Sequence, residues 1–125
     1  MKYIFILFLA FWSTLLLAQP TKVMMDGISK NDLSFAEESL TSWVMLSIND
    51  KVYTLRKADA INQLSSYLNL IQPTGYQRRH NGKAADQSQH YSVANVSSIE
   101  GRHRLFVYAE DSNGLVKEIR LTAIQ

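Results

Sequence analysis

Three times along this chain the spacing of hydrophobic residues changes period, and those changes constrain the fold more than any other feature. Val44, Leu46 and Ile48 alternate with Met45 and Ser47, as a half-buried strand requires. Asn49-Asp50-Lys51 is turn-like, and Val52 to Leu55 can return as a second short strand. From Arg56 to Ile71 the period becomes helical. Ala58, Ile61, Leu64, Leu68 and Ile71 form one stripe, while Asp59, Asn62, Gln63, Ser66 and Asn69 lie mostly away from it. Pro73 and Gly75 stop the helix.

The remainder alternates again. Strands are expected over 76–82, 90–99, 102–110 and 115–123, with a polar loop from Ala84 to Gln89 and a tight connection at Glu100-Gly101. Asp111-Ser112-Asn113-Gly114 suits a hairpin, because Asn-Gly tolerates the positive φ angles of a type I′ turn. Upstream, Leu33, Ala36, Leu40 and Trp43 predict a first helix over 31–42, with Asn31 or Asp32 as its cap and Ser34 with Glu37 as a capping-box pair. Residues 19–29 show no sustained period and read as a flexible lead-in to a single domain spanning 30–125. The expected order is α-β-β-α-β-β-β-β. Helices segregated from a four-strand meander indicate an α+β domain in which a curved antiparallel sheet packs on two main helices.

Residues 3–18 (YIFILFLAFWSTLLLA) carry no charge, follow Met1-Lys2 and end at Ala18. A charged start, an apolar stretch and a small residue at its exit describe a signal peptide over 1–18, cut after Ala18. Ser13 and Thr14 interrupt the run, which is short for a spanning helix; a retained anchor is the alternative. With the leader cut, no stable membrane span is expected. Of the 125 residues, 107 then remain, with 12 basic and 11 acidic side chains and no cysteine. That excludes a disulfide-stapled miniprotein, a cysteine-ligated metal site and a strongly basic nucleic-acid binder. An exported chain without cysteine fits a bacterial periplasm or exterior.

All three histidines, His80, His90 and His103, fall in one stretch with Arg78, Arg79, Lys83, Arg102 and Arg104, against only Asp86 and Glu100. Pairing across the 84–89 loop is expected to bring His80 within a residue or two of His90. The same logic brings Arg102 to Arg104 near Ser97 to Ile99. Arginine forks suit carboxylate or phosphate, and histidine adds a donor that titrates near neutrality. The other reading is that charges on strand edges keep sheets apart. His80-Asn81-Gly82 can place a histidine against a ligand, or can simply be a turn. The aromatics, Tyr91 among them, either fill the core or line a pocket with hydroxyls at its rim. No HExxH or HxH spacing is present, so neither metal nor cofactor is expected.

The run from about Gly27 to the C-terminus resembles Domain of Unknown Function 4783, a family of small exported proteins of the Bacteroidota. The matching residues are Val44-x-Leu46-x-Ile48, Lys57-x-x-Ala60, Tyr67-Leu68, His80-x-Gly82, Tyr91-x-Val93-Ala94-x-Val96, Gly101-x-x-Arg104 and Ile119-Arg120-Leu121, in that order. Asp59, Ala84, Ala94 and His103 depart from the family pattern. The resemblance implies a nuclear-transport-factor-2-like cone. That superfamily includes isomerases and dehydratases with an aspartate, tyrosine or histidine inside the cone, which singles out Asp59, His80 and His103.

The chain carries no GxSxG elbow, phosphate loop or dinucleotide fingerprint. The expected function is therefore a non-catalytic module that binds a small anionic ligand or a protein partner, with no role for nucleic acid. Its candidate contacts are His80, Arg78, Tyr91, Arg104 and His103. The alternative is a proton-transfer enzyme using His80 or Asp59. A homodimer through an exposed sheet face is a third arrangement.

Overall fold

The computed structural model describes residues 20–83, 89–110 and 114–124, and side chains throughout these except at 78–83 and 89. The expected signal peptide, most of the expected 84–89 loop and positions 111–113 of the expected hairpin turn lie outside the described residues. The elements are α1 (Pro20–Lys30), a 3-10 turn (Glu37–Ser39), β1 (Leu40–Ile48), β2 (Lys51–Arg56), α2 (Lys57–Ile71), β3 (Pro73–Lys83), β4 (Gln89–Ser98), β5 (Gly101–Glu110) and β6 (Val116–Ile124).

The first helix is displaced from where periodicity put it. The flexible lead-in expected over 19–29 is helix α1 from Pro20 onward, and no α-helix spans 31–42. Pro20 opens α1 with its φ already helical. Met24, Met25 and Ile28 then recur on one face and are fully buried, each contributing about 1.5–3 kcal/mol relative to exposure. Asn31 stops the helix in the left-handed region at φ 53°. Its N–H reaches the Ile28 carbonyl at 3.2 Å, and Asp32 N–H reaches that of Gly27 at 2.8 Å. Asp32 next accepts from the Ser34 N–H and hydroxyl, a local turn that competes with helix. Leu33, Ala36 and Leu40 are buried as their spacing suggested, but on a loop and the start of β1. Trp43 is exposed.

Helix α2 follows expectation closely, with Ala60 rather than Ala58 joining Leu64, Leu68 and Ile71 in the core. Gln72, at φ 50°, ends it with its N–H on the Leu68 carbonyl at 2.8 Å, and Pro73 starts β3.

The six strands form one sheet in the order β2-β1-β6-β5-β4-β3. It is mixed: β1 lies parallel to β6, while every other pair is antiparallel. Register shifts in β1, β3 and the β5–β6 pair bend it, as bulges do. The class remains α+β, with the concave face on the two helices. Val44, Leu46, Ala94, Val96, Leu105, Val107, Ile119 and Leu121 point inward and are at most 1% exposed. They form one cluster with Met24, Met25 and Ile28 of α1 and Leu64 and Leu68 of α2. Among the described residues no helix is long and apolar enough to cross a membrane.

Gly27 marks where α1 meets the following loop. A Cβ there would sit 2.8 Å from the Asp32 carbonyl oxygen and 3.2 Å from a Leu33 methyl. Gly27→Ala is expected to lower the free energy of unfolding by about 1–3 kcal/mol through overpacking, despite its better helix propensity, as read by urea denaturation. Met25→Ala should cost about 2–5 kcal/mol in the same assay; a flexible lead-in would give no change for either.

Candidate functional site

The register of β5 decides where the candidate residues go. His103, Leu105, Val107 and Ala109 face the helices, and Arg102, Arg104, Phe106, Tyr108 and Glu110 face the opposite side. Tyr91 pairs with Tyr108, and Asn95 with Arg104. Tyr91 and Arg104 therefore lie on the outer face and His103 on the inner one. They do not converge on a single site. Arg102 does meet Ser97 as expected, but His80 pairs with Val93, and His90 is opposite Lys83. The bulge between Arg78 and His80 sets that register. The side chains of Arg78 and His80 lie outside the described residues. Asp59 is exposed in the first turn of α2, where a carboxylate complements the helix dipole, and is not inside the cone.

His103 is 2% exposed. It sits between Val96 and Ala123 at one end of the concave face, where Tyr67 of α2 covers it. The Tyr67 oxygen lies 3.0 Å from Nε2, and the two rings meet edge-on at 78°. Nδ1 is buried without a hydrogen-bond partner. Burial pushes the His103 pKa below its ordinary value and favours the neutral ring.

The same tyrosine is anchored from the other side. Asn49 and Asp50, both left-handed, turn β1 into β2. Asn49 N–H donates to the Leu121 carbonyl at 2.9 Å, its Oδ1 accepts from Ala123 N–H at 2.8 Å, and its Nδ2 donates to the Tyr67 oxygen at 2.9 Å. One asparagine thereby links β6 to α2, and through Tyr67 to β5. The sequence assigned neither Asn49 nor Tyr67 a function; the turn signal at 49–51 and the Tyr67-Leu68 pair of the family resemblance were their traces.

On the outer face Tyr91, Phe106 and Tyr108 stack in a row. Successive centroids are 6.0 Å apart and the planes lie within 22° and 19° of each other. The Arg120 guanidinium sits 5.5 Å from the Phe106 centroid and the Lys117 ammonium 5.3 Å from that of Tyr108. Both cations also hold carboxylates: Arg120 pairs with Glu118 at 3.0 Å, and Lys117 with Glu110 at 3.4 Å. Arg102 and Arg104 are exposed on this face, and neither forms an ion pair among the described residues. At its corner Arg56 stacks 5.4 Å from the Trp43 ring. No group of three or more His, Cys, Asp or Glu among the described residues is placed to hold a metal ion.

Comparison with solved structures supports this architecture. A protein of the DUF4783 family from Bacteroides uniformis superposes with a TM-score of 0.75 at 13% identity, over 83% of this chain and 96% of its own. A second, from Bacteroides ovatus, gives 0.74 at 14% identity over 81% and 92%. The chain has the DUF4783 fold. A designed NTF2 protein with a long sheet matches with a TM-score of 0.65 at 16% identity over 82% and 95%, which supports the nuclear-transport-factor-2-like class. A proposed polyketide cyclase and a proposed isomerase share the fold as well. No family model matches the chain, and no curated protein does. At 13–14% identity the likeness shows the fold and assigns no role to any residue.

His103 also has a consequence for stability. Between its lowered folded value and the ordinary value of about 6.5, the unfolded chain binds more protons than the folded one. Stability is therefore full above about pH 6.5 and declines as the pH falls through that window. Asp26 shifts in another range. The Tyr76 hydroxyl, which donates to it at 2.6 Å, and Lys22 hold its pKa below the ordinary carboxylate value, so its contribution is lost only at more acid pH. His103→Gln should flatten the fall in melting temperature just below about pH 6.5 and leave the lower acid limb in place; an unchanged profile would show that His103 stays solvated.

Proposed function

We propose that this protein is exported, loses its leader after Ala18, and acts as a non-catalytic binding module whose outer sheet face docks an acidic surface of a protein partner. The observation that carries this reading is the outer face itself: exposed Arg102 and Arg104 without carboxylate partners among the described residues, beside the Tyr91–Phe106–Tyr108 row. The flanking cations Arg120 and Lys117 lie over the aromatic rings and are paired with the carboxylates Glu118 and Glu110. Forked guanidinium groups next to aromatic surface favour a carboxylate-rich protein face. Two copies would bring like charges together, which disfavours face-to-face pairing. The concave face supports the same reading, because most of its strand positions, His103 and Ser92 apart, are filled by apolar side chains packed against both helices.

A proton-transfer enzyme is the second reading, and it now rests on the buried His103–Tyr67 pair in place of Asp59. A neutral histidine against a tyrosine hydroxyl is chemically suited to acid–base work, and fold neighbours proposed as a cyclase and an isomerase lend it context.

The docking reading is tested by titrating the isotopically labelled protein with an oligoglutamate peptide. Amide shifts should concentrate on β4 and β5 around Tyr91, Asn95 and Arg104, weaken with salt, and drop by at least about tenfold in affinity in Arg102→Glu/Arg104→Glu. Shifts confined to other faces, or an unaltered double variant, would overturn it.

A further inference from the structure

The bonding around Tyr67 leads to a site that none of the candidate residues above defines. A backbone N–H can only donate, so the bond from Ala123 fixes Oδ1 of Asn49 as an acceptor and leaves Nδ2 as the donor to the Tyr67 oxygen. The bond between Tyr67 and His103 can then run in two directions. If the hydroxyl donates to Nε2, the ring proton of neutral His103 must sit on Nδ1, which is buried with no acceptor. If Nε2–H donates to the hydroxyl oxygen, only a lone pair on Nδ1 goes unmet. A stranded buried N–H is the costlier outcome, so the second arrangement is the stable one.

In that arrangement the Tyr67 oxygen accepts twice, from Asn49 and from His103, and its own hydrogen must point elsewhere. Tyr67 lines a groove of about 340 Å³ together with Ile48, Asn49, Lys51, Tyr53, Gln63, Ser66 and Leu70. Lys51 is the one charged side chain in that lining. We propose that this groove is a binding site for a small carboxylate, with the Tyr67 hydroxyl as the positioned donor, Lys51 as the counter-charge, and His103 as the positioning residue that turns the hydroxyl outward. The volume suits a small molecule, and Leu70 and Ile48 give its hydrocarbon part an apolar wall. The site lies between α2 and the β1–β2 edge, apart from the outer face, and does not depend on the docking reading.

The groups around His103 are compatible with a neutral ring. From α2 it faces Tyr67, from β4 Val96 and from β6 Ala123, none of them charged at neutral pH. Asp50 in the turn and Arg102 next in sequence are both exposed, and Lys51 and Tyr53 lie in the groove beyond Tyr67.

The test is a pair of NMR measurements on the protein, using sodium benzoate and sodium succinate as probes. Long-range ¹⁵N–¹H spectra at neutral pH should place the His103 proton on Nε2. Either carboxylate should shift the resonances of Lys51, Gln63, Ser66 and Tyr67. Tyr67→Phe should weaken binding by about tenfold, and exposed Lys51→Gln, which leaves the core untouched, by a few-fold. A proton on Nδ1, shifts confined to the arginines of the outer face, or equal affinity in both variants would overturn the proposal, and the docking reading would survive each of these results.

Discussion

Everything in this domain follows from a sheet that is dry on one side and wet on the other. Period two assigns each strand residue to one of those sides, and a slip of one position would exchange them all. His103 faces inward and Arg102 and Arg104 outward for that reason alone. The helices supply what the concave side must be covered with: Met24, Met25 and Ile28 from α1 and Ala60, Leu64, Leu68 and Ile71 from α2. Without cysteine, this burial and the ladder bonds are what hold the chain together.

Much of that was legible because local pattern and tertiary role agree along the strands and α2. Val44-x-Leu46-x-Ile48 and the Leu64, Leu68 and Ile71 part of the helical stripe are buried as read, and the four strands of the meander sit within a few residues of their expected bounds. The failures have physical causes. Helix α1 carries only Met24, Met25 and Ile28 as fully buried apolar side chains, contains Gly27, and begins just after the stretch read as a leader, so three buried positions were too few to mark a period. The helix expected over 31–42 rested on a true burial pattern of Leu33, Ala36 and Leu40. The Asp32–Ser34 turn and the pairing of Leu40 with Val116 decided the backbone instead. The parallel join of β1 to β6 is a contact between distant parts of the chain, which no local period encodes.

The candidate site was legible in composition and not in geometry. Basic and histidine side chains do gather in the second half of the chain, but the expected meeting of His80 with His90 depended on a register that one bulge changes. Tyr91 and Arg104, expected to share a site with His103, lie on the outer face, and His103 belongs to a different environment on the other face. Asn49 and Tyr67 were given no role because an asparagine in a turn and a tyrosine on a helix are ordinary until the fold brings them together. Their chain of bonds reaches from the edge of β6 to a buried imidazole and ends at a polar groove.

The division of the sheet into two faces is tested most directly by cross-strand nuclear Overhauser contacts between β4 and β5. The account predicts backbone contacts pairing Val96 with His103 and Asn95 with Arg104, together with side-chain contacts from His103 to Tyr67. Contacts pairing Asn95 with His103 would mean a one-residue slip, a histidine in solvent and an arginine in the core, and would contradict it.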